Sequence, residues 1–478
     1  MDAPSYDFGT PGAARLDAYL ARIGATMRDK RTRASFAQYT LGPERSPHFN
    51  LISATESKYP SRQIRRKVSR NRRMPNPQHE VPPPPSVTEA TVLRRVGNAR
   101  LSVADVHRFV GELFLQDLHA KRVESLANGV VGVLHAAAMT VHLIGQGLAQ
   151  AAGLKGKHAV KQVDRLLSNA DINVQALFAR WVPFLLAKRR EIFVSMDWTD
   201  FDGDNHTTLA INLITSHGRA TPLIWKTFRK STLRRNRNQY EDGLLTTLRE
   251  VVPENVRVTV LADRGFGDQK LYEFLRLLGF DFIVRFRQAI EVTDAKGRSK
   301  PAREWVPAGG QARMLRDAQV TKDRTSLPAV VVVHQVAMKE AWCLATSRAD
   351  LSARLVVRWY GKRFTCEENF RDTKDPRFGL GLSATHVSKP ARRDRMLFLS
   401  ALSQALLTLL GAAAEAVGLD RTLKVNTVKK RTHSLFRQGL FFYGCIPTMK
   451  EVDLRRLMTS FEERVAEHEN LSGVLACL

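Results

Sequence analysis

Cysteine is scarce: the 478 residues hold four, Cys343, Cys366, Cys445 and Cys477, none within a CxxC pair. That spacing disfavours a zinc ribbon or a disulfide framework and fits a reducing compartment. Acid is scarce relative to base, with 47 Asp and Glu against 74 Lys and Arg, a formal charge of +27. An excess of this size draws a protein toward polyanions. Nucleic acid is the leading partner, ahead of anionic membrane and of a merely basic soluble enzyme. The opening MDAPSYDFGTPGAARLDAYL lacks a basic stretch followed by an apolar one, so no secretory signal is expected. Two stretches without Asp, Glu, Lys or Arg, 126–154 and 396–414, are long enough to span a bilayer, but polar residues such as His135, Gln146, Ser400 and Gln404 interrupt them. They read as core helices of a soluble, cytoplasmic and nucleoid-associated protein.

Apolar residues make up 44% of the chain, enough for a real core at a length that allows two or three domains. Residues 1–90 differ in texture. KYPSRQIRRKVSRNRR (58–73) carries eight basic side chains and no acid, and VPPPPS follows, which reads as a poorly ordered basic and proline-rich segment. Residues 91–187 have helical apolar spacing and form a candidate DNA-binding region. Within it Lys157, Lys161 and Arg165 recur every four residues opposite Val160, Val163 and Leu167. That face either grips phosphates or is simply solvated.

From Glu191 the pattern becomes three strands, helix, strand, helix, strand, up to residue 289, and it resumes over 341–395. A mixed α/β sheet with helices on both faces follows. Residues 290–340 read as a β-rich insertion, and 396–478 as a C-terminal helical region. A basic run after the third strand, Lys226, Arg229, Lys230, Arg234, Arg235 and Arg237, offers a second phosphate surface or a solvated loop.

Asp197 closes the first strand at MDWTD, and Asp263 closes the fourth at LADRG. Strand ends are where side chains converge on a crevice in such sheets. A helix expected over 349–374 carries YGKRFTCEENFRDTK, which aligns Tyr360, Arg363, Glu367 and Lys374 along one stripe. Asp197, Asp263 and Glu367 would form a set of hard oxygen donors suited to Mg²⁺ or Mn²⁺. Two such ions, roughly 4 Å apart, can clamp the attacking and leaving oxygens of a phosphoryl transfer. Arg363, Lys374 and Tyr360 would then hold DNA phosphates. The blander readings are a helix ion pair for Arg363 and Glu367, and a core position for Tyr360. Asp200, Asp202 and Asp204 do not form a calcium loop, because Asn205 and Ile211 stand where Gly and Glu are needed. Asp200 remains an alternative to Asp197.

Tyr360, Arg363, Glu367 and Lys374 match the spacing Tyr-(2)-Arg-(3)-Glu-(6)-Lys, and the chain thereby resembles the insertion-sequence-four family of bacterial transposases. LADRGFGDQKL, FRDTKDPRFGLGL and KKRTHSLFRQG extend the likeness over roughly 91–460. The resemblance implies a ribonuclease-H-like core with Asp197, Asp263 and Glu367 as a DDE triad binding Mg²⁺. It implies double-stranded DNA as substrate (the element's terminal inverted repeats and target DNA), with a homodimer on paired ends. Cleavage by water frees a 3′-hydroxyl that attacks again, through a hairpin in studied relatives. Trp342 resembles the family tryptophan that stacks on a flipped base, and core packing is its alternative. Arg264, beside Asp263, contacts phosphate or makes a salt bridge. Residues 1–85 resemble the opening of a different insertion-element transposase. A stand-alone nuclease and a catalytically silent DNA-binding remnant stay open as alternatives.

Overall fold

The computed structural model describes residues 101–234 and 236–470. The segment 1–90, and Arg235 among the candidate phosphate contacts, lie outside the described residues.

Five helices come first: α1 (Val103–Phe114), α2 (Ala120–Ala136), α3 (Val141–Ala152), α4 (Gly156–Ser168) and α5 (Val174–Leu186). Ser102 and Asp105 cap α1 reciprocally, which satisfies amides that the first turn leaves without carbonyl partners. The apolar stretch 126–154 is divided between α2 and α3, which are bent by 95°. Small residues allow this close packing. A Cβ at Gly132 would lie 2.4 Å from the Ile144 carbonyl oxygen, and one at Gly145 would lie 2.5 Å from the Val160 Cα. Gly153, at φ 66°, takes the left-handed conformation that ends α3 and turns the chain into α4.

The sheet has ten strands in the order β3-β2-β1-β4-β5-β10-β9-β8-β6-β7. Its first half comprises β1 (Glu191–Phe201), β2 (His206–Leu213), β3 (Thr221–Arg229), β4 (Arg257–Ala262) and β5 (Asp281–Phe286). Helices α6 (Arg237–Val251) and α7 (Gln269–Leu277) flank β4 in sequence, in the order read from the sequence. β1 pairs in parallel with β4, and β4 with β5, while β2 and β3 run antiparallel. This mixed α/β topology is compatible with the ribonuclease-H-like core that the resemblance implies. The remaining strands are β6 (Glu291–Thr293), β7 (Ser299–Pro301), β8 (Arg313–Val320), β9 (Thr325–Val333) and β10 (Trp342–Thr346). β10 lies between β5 and β9, so the strands of 290–340 extend the same sheet.

Strand period decides which face each residue serves. On β1, Ile192, Val194 and Met196 join the main core, whereas Phe193 joins a second cluster with Leu261, Ile283 and Leu344. Helices α8 (Ala353–Lys362) and α9 (Thr365–Lys374) cover that second face through Val356, Tyr360 and Cys366. The main core holds α10 (Pro390–Ala416), followed by α11 (Leu435–Cys445) and α12 (Glu451–Asn470). Past its charged start at 392–395, α10 is largely apolar on every side, the mark of a helix enclosed by protein. Among the described residues it is the one helix that alone is long and apolar enough to cross a membrane, yet 89% of its most apolar window is buried.

One expectation changes here. The helix over 349–374 is two helices, with Arg363 and Phe364 between them. The Arg363 amide reaches back three residues to Tyr360, and that of Cys366 three to Arg363, which tightens the chain locally.

Candidate active site

The register of β1 against β4 brings the first two acids together. Met196 is opposite Ala262, the last residue of β4, so Asp197 on β1 is set beside Asp263, the first residue past β4. Both have the parity of the residues facing α8 and α9, Phe193 on β1 and Leu261 on β4. Asp197 does not end its strand, as was expected: β1 continues to Phe201 because residues 197–201 keep their pairing with β2. The carboxylate emerges where β4 leaves its neighbour, which is what creates the notch.

Each aspartate is steadied by a backbone amide. Trp198 N–H donates to Asp197 Oδ1 at 2.9 Å, and Gly265 N–H donates to Asp263 Oδ1 at 2.7 Å. Burial raises the Asp197 pKa, the Arg363 guanidinium opposes this, and the Asp263 charge adds to it. The aspartates are therefore close enough to feel each other.

The third acid is connected to the first by an arginine. Arg363 Nη1 donates to Asp197 Oδ2 at 3.1 Å, and its Nη2 donates to Glu367 Oε1 at 2.9 Å. Arg363 is 6% exposed, and its Nε is buried without a partner. Burial works against its charge, but Tyr360, Asp197, Cys366 and Glu367 together hold its pKa above the usual value. In this structure Arg363 faces the acids, so it makes the ion pair that was the blander reading. Cys366, which the sequence reading missed, also donates to Asp197 Oδ2, at 3.5 Å.

Tyr360 needs correction as a phosphate contact. It is 1% exposed, its ring packs edge-on to Trp342 at 5.0 Å, and burial raises its pKa. An aromatic enclosed in the second core cluster supports the helix and has no face for DNA. Trp342 is half-buried between Tyr360 and Phe364, which is its packing alternative. Lys374 is half-buried and its Nζ donates to the Asp200 carbonyl at 2.6 Å and to Thr199 Oγ1 at 3.2 Å, so it ties the end of α9 to the far end of β1. Lys230 pairs with Asp200 at 3.0 Å and also with Asp202. Arg264 makes its salt bridge, to Glu340 at 3.2 Å. Lys157, Lys161, Arg165 and Arg234 are exposed.

A buttress behind Asp197 was also missed. Trp198 Nε1 donates to Glu241 Oε1 at 2.8 Å, and Arg237 Nε donates to the same oxygen at 2.9 Å. The Arg237 guanidinium lies over both Trp198 and Phe266, 5.4 and 5.5 Å from the ring centroids. The i, i+4 spacing of Arg237 and Glu241 was the available signal. On the other side Arg219 holds α9 through Asp372 at 2.6 Å.

The donors suit a hard divalent ion in chemistry: carboxylate oxygens on adjacent strands, with a third carboxylate one guanidinium away. With Arg363 between Asp197 and Glu367, no group of three His, Cys, Asp or Glu among the described residues is arranged to chelate a metal. The expected three-acid metal site is thus not assembled in this arrangement. A shared cation, Arg363, already offsets the repulsion among the acids.

Residues 227–406 match a family model described as a transposase DDE domain. The matched span includes Asp263, Arg363, Glu367 and Lys374 and begins after Asp197. No curated protein matches the chain. The match covers 180 of the 478 residues and likens that part of the chain to the catalytic domain of DDE transposases.

Proposed function

We propose that the protein is a DNA transposase of the insertion-sequence-four type, binding the ends of its element as a homodimer and cutting and joining DNA strands by DDE chemistry. The observation that carries this reading is the β1–β4 register, which sets Asp197 beside Asp263 on the face covered by the helix of Glu367. The match over 227–406 supports the same class of chemistry.

With Arg363 displaced from Asp197 and Glu367, these two acids and Asp263 would hold Mg²⁺ or Mn²⁺, two ions being the expectation. The ions supply charge neutralisation and an activated water or hydroxyl when bound. In the cut, a water oxygen forms a bond to phosphorus, the bond from phosphorus to the 3′-oxygen breaks, and that oxygen leaves as a 3′-hydroxyl. In the joining step the 3′-hydroxyl attacks a target phosphodiester, and the target's own 3′-oxygen departs. The backbone amides of Trp198 and Gly265 orient the aspartates, and Glu241 holds Trp198 in place. Arg363 steadies Asp197 and Glu367, and Lys374 fastens the end of α9 to β1.

The test uses a labelled duplex carrying the inverted repeat that flanks the reading frame, with Mg²⁺. Nicking and joining are expected, and Glu367→Gln should abolish both while leaving duplex affinity largely intact. Nicking without joining would indicate a stand-alone nuclease, and salt-sensitive binding with neither would indicate a silent remnant. Normal cutting by the Gln variant would remove Glu367 from the triad.

A further inference from the structure

We infer that Arg237 is a positioning residue for the proposed reaction: one guanidinium, held against Trp198 and Phe266 together, fixes the separation of Asp197 and Asp263. The inference rests on the transposase reading and adds to it a residue that acts through the neighbours of the acids. The β1–β4 ladder pairs residues as far as Met196 and Ala262, so it stops where the two aspartates begin. β1 continues beside β2 to Phe201, whereas the chain past β4 turns away. That turn is closed by the Gly265 amide on Asp263 Oδ1 and by the Phe266 amide on the Asp263 carbonyl, at 2.7 and 3.1 Å. Asp197 is steadied in the same manner, by the amide of Trp198. Each carboxylate is thus governed by a segment that carries an aromatic ring, and a bracket between the two rings sets the distance between the acids.

Arg237 is that bracket. It opens α6, and its guanidinium carbon lies 5.4 Å from the Trp198 ring centroid and 5.5 Å from that of Phe266, both within the ~6 Å over which an aromatic face holds a cation. A planar, delocalised guanidinium suits a place against two rings better than a compact ammonium does. Its Nε donates to Glu241 Oε1 at 2.9 Å, and Trp198 Nε1 donates to the same oxygen at 2.8 Å, which orients the guanidinium relative to the indole. The backbone of α6 is anchored too. Tyr240, three residues on, stacks on Phe228 of β3 at 4.0 Å, and Phe228 lies 5.9 Å from Trp198. On its other side the turn after Asp263 is pressed to the sheet, since a Cβ at Gly267 would lie 2.8 Å from the Arg285 carbonyl oxygen of β5. Arg237 Nη2 comes within 3.9 Å of the place a Cβ on Gly265 would take. The turn is therefore held between β5 and Arg237. Trp198 and Phe266 pack with the main core, so this hold comes from the sheet face opposite to Arg363.

The experiment uses the full-length protein and the labelled inverted-repeat duplex with Mg²⁺. Wild type is compared with Glu241→Gln and with Arg237→Met/Glu241→Gln. Arg237→Met alone would strand the buried Glu241 carboxylate, so the double variant removes that charge and keeps an oxygen for Trp198. Three quantities are read: the single-turnover nicking rate at saturating protein, duplex affinity without metal, and amide exchange in the turn 264–268. The double variant should nick about 10- to 100-fold more slowly than Glu241→Gln, the usual cost of losing a group that orients a reacting carboxylate. Its duplex affinity should match that of Glu241→Gln, and its turn amides should exchange severalfold faster. Should Glu241→Gln itself fold poorly, Arg237→Lys takes its place: it keeps the charge beside Glu241 and loses the planar group, with slower nicking expected at the wild-type melting temperature. Equal nicking rates in the two variants, or unchanged exchange in the turn, would overturn the positioning role while leaving the transposase reading intact. Weaker duplex binding with an unchanged rate at saturation would make Arg237 a phosphate contact and overturn it too. Wild type that binds the duplex without nicking would overturn the transposase reading, and the role of Arg237 in that reaction with it.

Discussion

Arg363 is the residue on which the state of the candidate site turns. Its guanidinium donates to Asp197 and Glu367, so it holds together acids that would otherwise repel. Breaking a buried charge pair by removing one partner costs roughly 3–5 kcal/mol where both members are enclosed. Here Glu367 is 52% exposed and water screens it, which leaves Asp197, at 17%, as the group most affected. Arg363→Ala should therefore melt at a lower temperature than wild type when divalent ions are absent. Mn²⁺ should raise its melting temperature more than it raises that of wild type, because the ion takes over the neutralising role. Equal shifts for the two proteins in a calorimetric titration would sink this account.

Among elements, α10 does most to place the site, because it lies under the sheet and also reaches α9. Gln404 Nε2 donates to Thr373 Oγ1 at 2.8 Å, linking it to the helix of Glu367. At its other end Asp394 accepts the Thr227 amide of β3 at 3.0 Å and is enclosed there. Burial pushes the Asp394 pKa up to about 7, partly offset by the bonds from Thr227. A carboxyl raised in the fold stabilises it where it is protonated, and that contribution is lost as pH rises from the ordinary range near 4 through about 7. Wild type should thus lose stability over that interval relative to Asp394→Asn, by an amount on the order of 4 kcal/mol. Parallel urea titrations of the two proteins at several pH values would measure it. Parallel curves across the interval would mean that Asp394 stays ionised and is better paired than its surroundings indicate.

For the molecule as a whole, the excess of 27 positive charges dominates behaviour toward polyanions. Pairing inside the fold consumes many acids, as with Asp350 beside Arg348 or Glu340 between Arg264 and Arg285. The cations that remain exposed set the affinity for DNA of any sequence. Duplex binding by the Glu367→Gln protein should weaken by roughly a thousandfold or more between 50 and 200 mM salt if six or more phosphates are engaged. A fluorescence-anisotropy series that is flat in salt would contradict an electrostatic interface of this extent.

The chain's composition, its strand and helix periods and the spacing of Tyr360, Arg363, Glu367 and Lys374 are local properties, and they determined the α/β class, the order of elements up to β5 and the three acids worth examining. The register of β1 against β4, which sets Asp197 beside Asp263 on one face, came from the tertiary structure. Tertiary structure alone decided what surrounds those acids. Whether Tyr360 faces DNA or the core depends on which helix face meets Trp342 and the sheet, and the stripe pattern is the same in either case. The pairing of Arg363 with Asp197 and the buttress of Trp198 by Glu241 join residues as many as 166 positions apart. No local period encodes such contacts, because they arise only when strands and helices have been packed and each buried charge must find a partner.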